Sequence, residues 1–212
     1  VLRVTDLDAF AVFLRLAAGR TTREQNLSSL GADAGITHPT ARGWLSVLEA
    51  GFVVFRAAPW VRNPRKRAVK SPKLHFVDSG LACHLLGIRD PSQLRLHPSR
   101  GAIFESWVAS EILKARVHRG VQPDIFHLRE TRGPEVDLVI EAGSRLLAVE
   151  VKSGATVVPD FFRALDGLAE AVREGAPHLE PVGRLVYGGE EPQRRSGAHV
   201  IPWHGIQDVE WT

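Results

Sequence analysis

The sequence predicts an α/β protein in two parts: a small helical domain with a basic strand hairpin over 1–92, and an α/β domain with a mixed sheet flanked by helices over 93–212. Three observations carry this. Apolar residues recur at spacings of three and four through most of the first 50 positions, as they do in helices that bury one face. A strongly basic stretch then separates two short β-prone runs. From 102 onward the order is helix, three strand-like runs, helix and two more strand-like runs, which calls for a sheet covered by helices.

In the first part, Leu7, Phe10, Ala11, Leu14, Ala17 and Ala18 form an apolar stripe that Gly19 closes. A short helix follows over about 26–34. Gly35-Ile36-Thr37 then turns the chain into a third helix, with Thr37 suited to the N-cap and Pro39 in the first turn, where its missing N–H costs nothing. Ala41, Trp44, Leu45 and Leu48 are the buried stripe of that helix, and Gly51 ends it. Two helices joined by so short a turn are a helix-turn-helix signature. Strands at Phe52–Phe55 and Lys73–Val77 would make this a winged helix. Between them Arg62, Arg65, Lys66, Arg67, Lys70 and Lys73 stand with no acidic residue among them, suited to meeting phosphates through counterion release. Arg42, on the outer side of the third helix, would assist in a groove. The same loop would also serve as a solvated surface for protein contacts, because the third helix offers only Thr40, Arg42 and Ser46 for base readout. Residues 78–100 read as a short helix, Leu81–Leu86, followed by a linker.

Composition excludes several classes. With 44% hydrophobic and 24% charged residues over 212 positions, the chain has enough apolar material for one core or two small ones. No uninterrupted apolar run approaches the roughly 18 residues of a membrane span, and the opening residues are not a signal peptide. The expectation is a cytoplasmic protein without a membrane partner. Cys83 is the single cysteine, which removes disulfide scaffolds and cysteine-based zinc sites together. A net charge of +3 is too small to imply nucleic-acid binding, so local charge placement has to decide. Phosphate-loop, serine-elbow and His-Glu-x-x-His motifs are all lacking. The chain begins at Val1 and contains no methionine, which suggests the carboxyl-terminal part of something longer.

In the second part Ile103, Phe104, Trp107, Val108, Ile112 and Leu113 mark a helix over 102–116, with Glu105 beside the stripe. Strands follow at Ile125–Glu130, Glu135–Glu141 and Arg145–Lys152, then a helix over 159–174 and short strands at Arg184–Tyr187 and Ala198–Trp203. Gly143-Ser144 suits a two-residue hairpin loop. That loop pairs Ala142 with Arg145 and, counting outward, sets Val139 opposite Ala148, Asp137 opposite Glu150 and Glu135 opposite Lys152. The other face, with Val136, Leu138, Ile140, Leu147, Val149 and Val151, would be core.

Two carboxylates facing each other across a sheet repel unless something positive lies between them. A divalent cation meets that need: oxygen ligands from Asp137 and Glu150, the Val151 carbonyl and waters match Mg2+ or Mn2+. Lys152, two residues beyond Glu150 on the same face, would stabilise charge building on a phosphate. The chemistry implied is phosphodiester hydrolysis, with Asp137, Glu150 and Lys152 as the catalytic set. A solvated surface with a cross-strand Glu135–Lys152 ion pair is the plainer alternative. Trp44 and Trp107 are expected in the core, while exposure is an option for Trp60, Trp203 and Trp211; base stacking is open to Trp60, and a wing anchored against its own domain is the favoured reading of that residue.

Asp137, twelve residues, then Glu150-Val151-Lys152, preceded by a helix bearing Glu105, resembles the PD-(D/E)XK (restriction-endonuclease-like) nuclease superfamily. The resemblance implies that core fold, metal ligation by Asp137 and Glu150 with Glu105 auxiliary, a catalytic Lys152, and a nucleic-acid substrate, with DNA favoured. Val136 stands where that family often has proline. Over nearly the whole chain, the segments Ser71–Ala82, Gly101–Glu111, Glu135–Glu141 and Val149–Gly154 are similar to the carboxyl-terminal region of prokaryotic AAA-type ATPases. That similarity implies an ATPase module in the same full-length chain, which would supply oligomerisation. It also implies an alternative role, as a non-catalytic regulatory, DNA-binding or partner-binding tail. A transcription regulator using only the winged helix is a third class.

Overall fold

The computed structural model describes residues 6–61, 71–129 and 135–212. The chain divides into two compact units, the described residues of Val1–Arg56 with Ser71–Trp107, and those of Ala57–Lys70 with Val108–Thr212. The sequence-based boundary at 92/93 does not coincide with these divisions, because β1 and α6 each begin in the first unit and end in the second. No described helix is long and apolar enough to cross a membrane.

In the first unit α1 spans Leu7–Ala18, α2 Leu27–Asp33 and α3 His38–Ala50. Each starts where a side-chain oxygen caps a backbone amide: Asp6 accepts from Ala9 at 2.9 Å, Asn26 from Ser29 at 2.9 Å, and Thr37 from Thr40 at 3.3 Å. The turn between α2 and α3 passes through Gly35 at φ +70°, a conformation that costs a side-chain-bearing residue. Gly31 lets the two helices close, since a Cβ there would lie 3.1 Å from the Ile36 carbonyl. The buried face of α3 is Ala41, Trp44, Leu45 and Leu48, as expected.

The stripe on α1 is rotated from the expected one. Phe13, Ala17 and Ala18 are buried, whereas Leu7 is 72% exposed and Ala11 lies at the surface. Phe13, absent from the predicted stripe, and Phe10 both pack edge-on against Trp44, at 5.6 and 5.3 Å.

β1 spans Val54–Pro59 and β2 Lys73–Phe76. β1 starts two residues later than predicted because Phe52 sits at φ +55°, outside extended geometry. The expected short helix is α4, at Ser79–Leu85 behind Asp78, and the supposed linker after it holds a second capped helix, α5 at Pro91–Leu96 behind Asp90. The next helix, α6, spans Arg100–His118. In the first unit its Ser106 hydroxyl accepts from the Phe76 amide at 2.8 Å and from Thr21 at 3.2 Å, with all three residues buried.

The second unit is a mixed sheet. Its further strands are β3 (Ile125–Arg129), β4 (Glu135–Ala142), β5 (Arg145–Lys152), β6 (Glu180–Tyr187), β7 (Gln193–Arg195) and β8 (Ala198–Pro202), with α7 (Arg163–Gly175) between β5 and β6. The order is β1-β3-β4-β5-β6-β8-β7. Here β1 contributes Ala58 and Pro59, parallel to Phe126 and His127 of β3; the expected wing strand thus extends a sheet. β3, β4 and β5 form an antiparallel meander, and β5, β6 and β8 run parallel. Val139, Leu146 and Ala148 pack with Phe162, Leu165, Leu168 and Val172 from α7 and the turn before it. Leu138, Ile140, Leu147 and Val149 on the opposite face are also fully buried.

The carboxyl terminus is fastened by arginines. Trp211 is fully buried, and Arg116 donates to its carbonyl at 2.7 Å and to the carbonyls of Gln122 at 3.0 Å and Glu141 at 3.3 Å. Arg184 lies over the Trp211 ring at 4.6 Å and donates to the Glu210 carbonyl at 2.7 Å. Burial and the nearby charge of Arg145 bring the Arg184 guanidinium down to about 10.

The rotated α1 stripe makes a direct stability prediction. Phe13→Ala should cost about 3–5 kcal/mol in urea unfolding, while Leu7→Ser should stay within about 0.5 kcal/mol of wild type. Equal costs would refute this packing of α1.

Candidate functional site

The loop Gly143-Ser144 sets the register from which the site follows. Gly143 has φ +62°, and the ladder runs from Ala142↔Arg145 through Val139↔Ala148 to Leu138↔Val149, as the two-residue turn requires. One step outward lie Asp137 and Glu150. Asp137 Oδ2 accepts from the Val151 amide at 2.9 Å, while Lys152 Nζ donates to Glu150 Oε1 in a close ion pair. Glu150 is 7% exposed and Lys152 is half-buried. The expected separation into a core face and a charged face is corrected here. Val139 and Ala148 lie under α7, with Asp137, Glu150 and Lys152 at one end of that face and Glu141, which accepts from Trp60, at the other.

The structure therefore brings Asp137, Glu150, Val151 and Lys152 together. The repulsion that the sequence assigned to a cation is met by groups of the chain itself: an ammonium on one carboxylate and a backbone N–H on the other. The Lys152 ammonium also lies 5.4 Å from the Phe161 ring centroid, over the 3-10 turn Pro159–Phe162. Glu135 lies 4.0 Å from Arg129 across β3, another neighbour than the Lys152 expected.

Glu105 belongs to the first unit, where its Oε1 is 3.5 Å from Lys73 Nζ. Lys73 is 4% exposed. This corrects its place in the basic surface, because an ammonium paired inside the fold does not meet phosphate. Arg42 is exposed on α3, as expected. Arg62, Arg65, Lys66, Arg67 and Lys70 lie outside the described residues. Among the described residues, no three His, Cys, Asp or Glu side chains gather as a group able to hold a metal.

Other expectations change with burial. Trp60 is 5% exposed and donates to Glu141 Oε1 at 2.9 Å, so it is anchored within the fold and is not available for base stacking. Trp211 is buried, and Trp203 is 43% exposed.

Sequence reasoning missed the loop after β6. Gly188 donates to the Lys152 carbonyl at 3.0 Å and the Gly154 carbonyl at 3.1 Å, and a Cβ on Gly188 would run into the Ser153 carbonyl. Two adjacent glycines after an apolar strand were the available signal.

Lys152→Met and Glu150→Gln, singly and together, should show a coupling of about 0.5–3 kcal/mol in a stability cycle; additivity would mean the pair does not hold in solution. Gly188→Ala should lower stability by about 1–3 kcal/mol in urea titration, and an unchanged midpoint would contradict the close approach of the two loops.

Residues 1–92 match the family model described as a domain of unknown function, DUF8612, and residues 100–206 match a second domain of unknown function, DUF4143. Two relatives, the uncharacterized proteins Rv2008c of Mycobacterium tuberculosis and Mb2031c of Mycobacterium bovis, are each 31% identical over 139 residues, covering 65% of this chain and 30% of the relative. The chain thus matches less than a third of the length of these relatives. No solved structure matches it. Since the second model covers half of the chain, the protein belongs to the DUF4143 family.

Proposed function

We propose that this chain is a non-catalytic, nucleic-acid-binding regulatory tail of a longer AAA-type ATPase, with DNA as the favoured partner. The observation that carries the reading is the internal pairing of the charged cluster. Lys152 already holds Glu150 Oε1 and the Val151 amide holds Asp137 Oδ2, and among the described residues no three His, Cys, Asp or Glu side chains gather as a group able to hold a metal. Binding is assigned to α3 of the first unit as the groove helix of a winged helix, and to the basic run 62–70 as a second contact. The outer side of α3 carries Arg42 and Ser46, both exposed, and the basic run 62–70 follows in sequence. An ATPase module elsewhere in the protein rests on the resemblance of Ser71–Ala82 and Gly101–Glu111, and the greater length of the relatives leaves room for one.

A second reading, a PD-(D/E)XK hydrolase, is favoured by one specific observation: two carboxylates on adjoining antiparallel strands at one end of the hairpin ladder, with a lysine beside them. That donor set fits Mg2+ or Mn2+, which take one or two carboxylates and fill the remaining positions with water or substrate oxygen. Asp137 and Glu150 would hold the ion, with the Val151 carbonyl as a further oxygen; the ion would supply Lewis-acid activation of a phosphodiester. Lys152 would then leave Glu150 and face the phosphate.

One set of measurements separates the readings. Anisotropy titrations of duplex DNA across a salt series should show binding that weakens linearly in log salt and is largely lost when Arg65, Lys66 and Arg67 are changed to glutamine. Incubation of plasmid and linear DNA and RNA with Mg2+ or Mn2+ should leave them intact. Cleavage that disappears in both Lys152→Ala and Asp137→Ala would instead establish the hydrolytic reading, and salt-independent or absent binding would remove the nucleic-acid role.

A further inference from the structure

Helix α1 carries more apolar surface than the core of the first unit takes up. Phe13 and Ala17 turn inward, whereas Leu7, Ala11 and Leu14, at spacings of four and three, form a stripe on another side of the helix. Leu14 is half-buried, Ala11 is exposed and Leu7 is 72% exposed. A surface helix ordinarily has one apolar stripe, set opposite polar residues. The second stripe is left over after folding.

That stripe runs into a cleft. Ala11, Leu14 and Arg15 of α1 line one side, and His84, Leu85, Gly87 and Arg89, from α4 and the turn after it, line the other, around about 350 Å³. Both sides belong to the first unit. Leu14 and Leu85 pack beneath against the core that holds Phe13, Trp44 and Leu45, so the floor is apolar and fixed. Beyond the cleft the stripe continues along α1 as far as Leu7, a track of about 10 Å. An elongated apolar track of this kind is what an amphipathic helix occupies when it lays residues at three- and four-residue spacing into a groove.

The polar groups at the rim are donors. Arg89 Nη1 lies 2.6 Å from His84 Nδ1; a guanidinium has no acceptor, so Nδ1 accepts and the proton of the neutral ring sits on Nε2. Arg15 is exposed, and its Nε donates to the Ala11 carbonyl at 3.4 Å. Carboxylates near the cleft in sequence are engaged elsewhere: Asp78 caps α4 through the Gly80 and Leu81 amides, and Asp90 caps α5 through those of Ser92 and Gln93. Asp8 lies in the first turn of α1, next to Leu7. Among the described residues no Asp or Glu lines the cleft. The acceptors must come from the partner, and carboxylates supply them with the opposite charge.

We propose that the cleft between α1 and α4 docks an acidic amphipathic helix of another protein, whose apolar residues lie on Leu7, Ala11 and Leu14 and whose Asp or Glu side chains meet Arg15 and Arg89. This surface is separate from α3 and the run 62–70, so it does not depend on the nucleic-acid reading.

The test is anisotropy binding of the full chain to three labelled peptides of about 18 residues. The first has leucines at helical spacings of three and four, flanked by glutamates; the second has lysine for every glutamate; the third keeps the first composition with the leucines dispersed. Wild type should bind the first at least about tenfold more tightly than the other two. Leu7→Ser should weaken that binding about 5- to 30-fold and leave duplex-DNA affinity as in wild type. The double variant Arg15→Glu/Arg89→Glu should prefer the lysine peptide; if it fails to fold, Arg15→Gln/Arg89→Gln should bind the glutamate and lysine peptides about equally. No binding of the first peptide up to about 1 mM, equal binding of all three, or wild-type affinity in these variants overturns the proposal. Sedimentation showing a dimer that Leu7→Ser converts to monomer gives the groove to a second copy of this chain and overturns it as well. Groove-dependent peptide binding without duplex binding refutes the nucleic-acid reading and leaves the docking site standing.

Discussion

Everything at the charged edge of the second unit depends on how two carboxylates are made compatible at the end of neighbouring strands. Asp137 and Glu150 are brought together by a two-residue turn six residues away, and backbone hydrogen bonding leaves that juxtaposition no freedom. A largely buried carboxylate such as Glu150 is costly unless it is paired and hydrogen-bonded. The chain answers with Lys152 on the same face as Glu150 and, for Asp137, with the Val151 amide of the neighbouring strand. One oxygen of each carboxylate is thus held by a group of the chain itself. The same compensation appears in the first unit, where Glu105 and the buried Lys73 face each other at 3.5 Å.

The carboxyl ends of the parallel strands are largely covered. Phe162, Leu165, Leu168 and Val172 pack into one core with Tyr187, and Tyr187 and Pro202 are buried in the row they form with the half-buried Lys152, whereas Trp203 just beyond is 43% exposed. The arginines at the opposite concern of the fold, Arg116 and Arg184, spend their hydrogen bonds on backbone carbonyls around Trp211 and so act as fasteners of the chain end. A guanidinium brought down to about 10 by burial is one the fold tolerates for what it holds.

Much of this was legible in the residue order because local physics sufficed. Capping side chains, a glycine turn and a four-residue stripe specify α3 without help from the rest of the chain, and Gly143-Ser144 specifies the β4–β5 register and with it the meeting of Asp137, Glu150 and Lys152. Long-range choices were not legible. The helix α1 has apolar residues on more than one face, so periodicity alone could not say that Phe13 and not Leu7 turns inward against Trp44.

Position in three dimensions decided the remaining functional residues. Lys73 reads as one more cation of a basic run, yet β2 carries it inside beside Glu105. Trp60 reads as a wing aromatic anchored against its own domain, yet β1 crosses into the second unit's sheet and seats it against Glu141. Trp203 lies 51 residues from Lys152 in the chain, and only the parallel register of three strands puts them on one edge. The sequence by itself determined turns, caps and the local pairing of the charged hairpin, which depend on neighbours a few residues apart. Tertiary structure alone decided which charges are neutralised and which aromatics meet solvent, because burial and ion pairing are properties of contacts between distant segments.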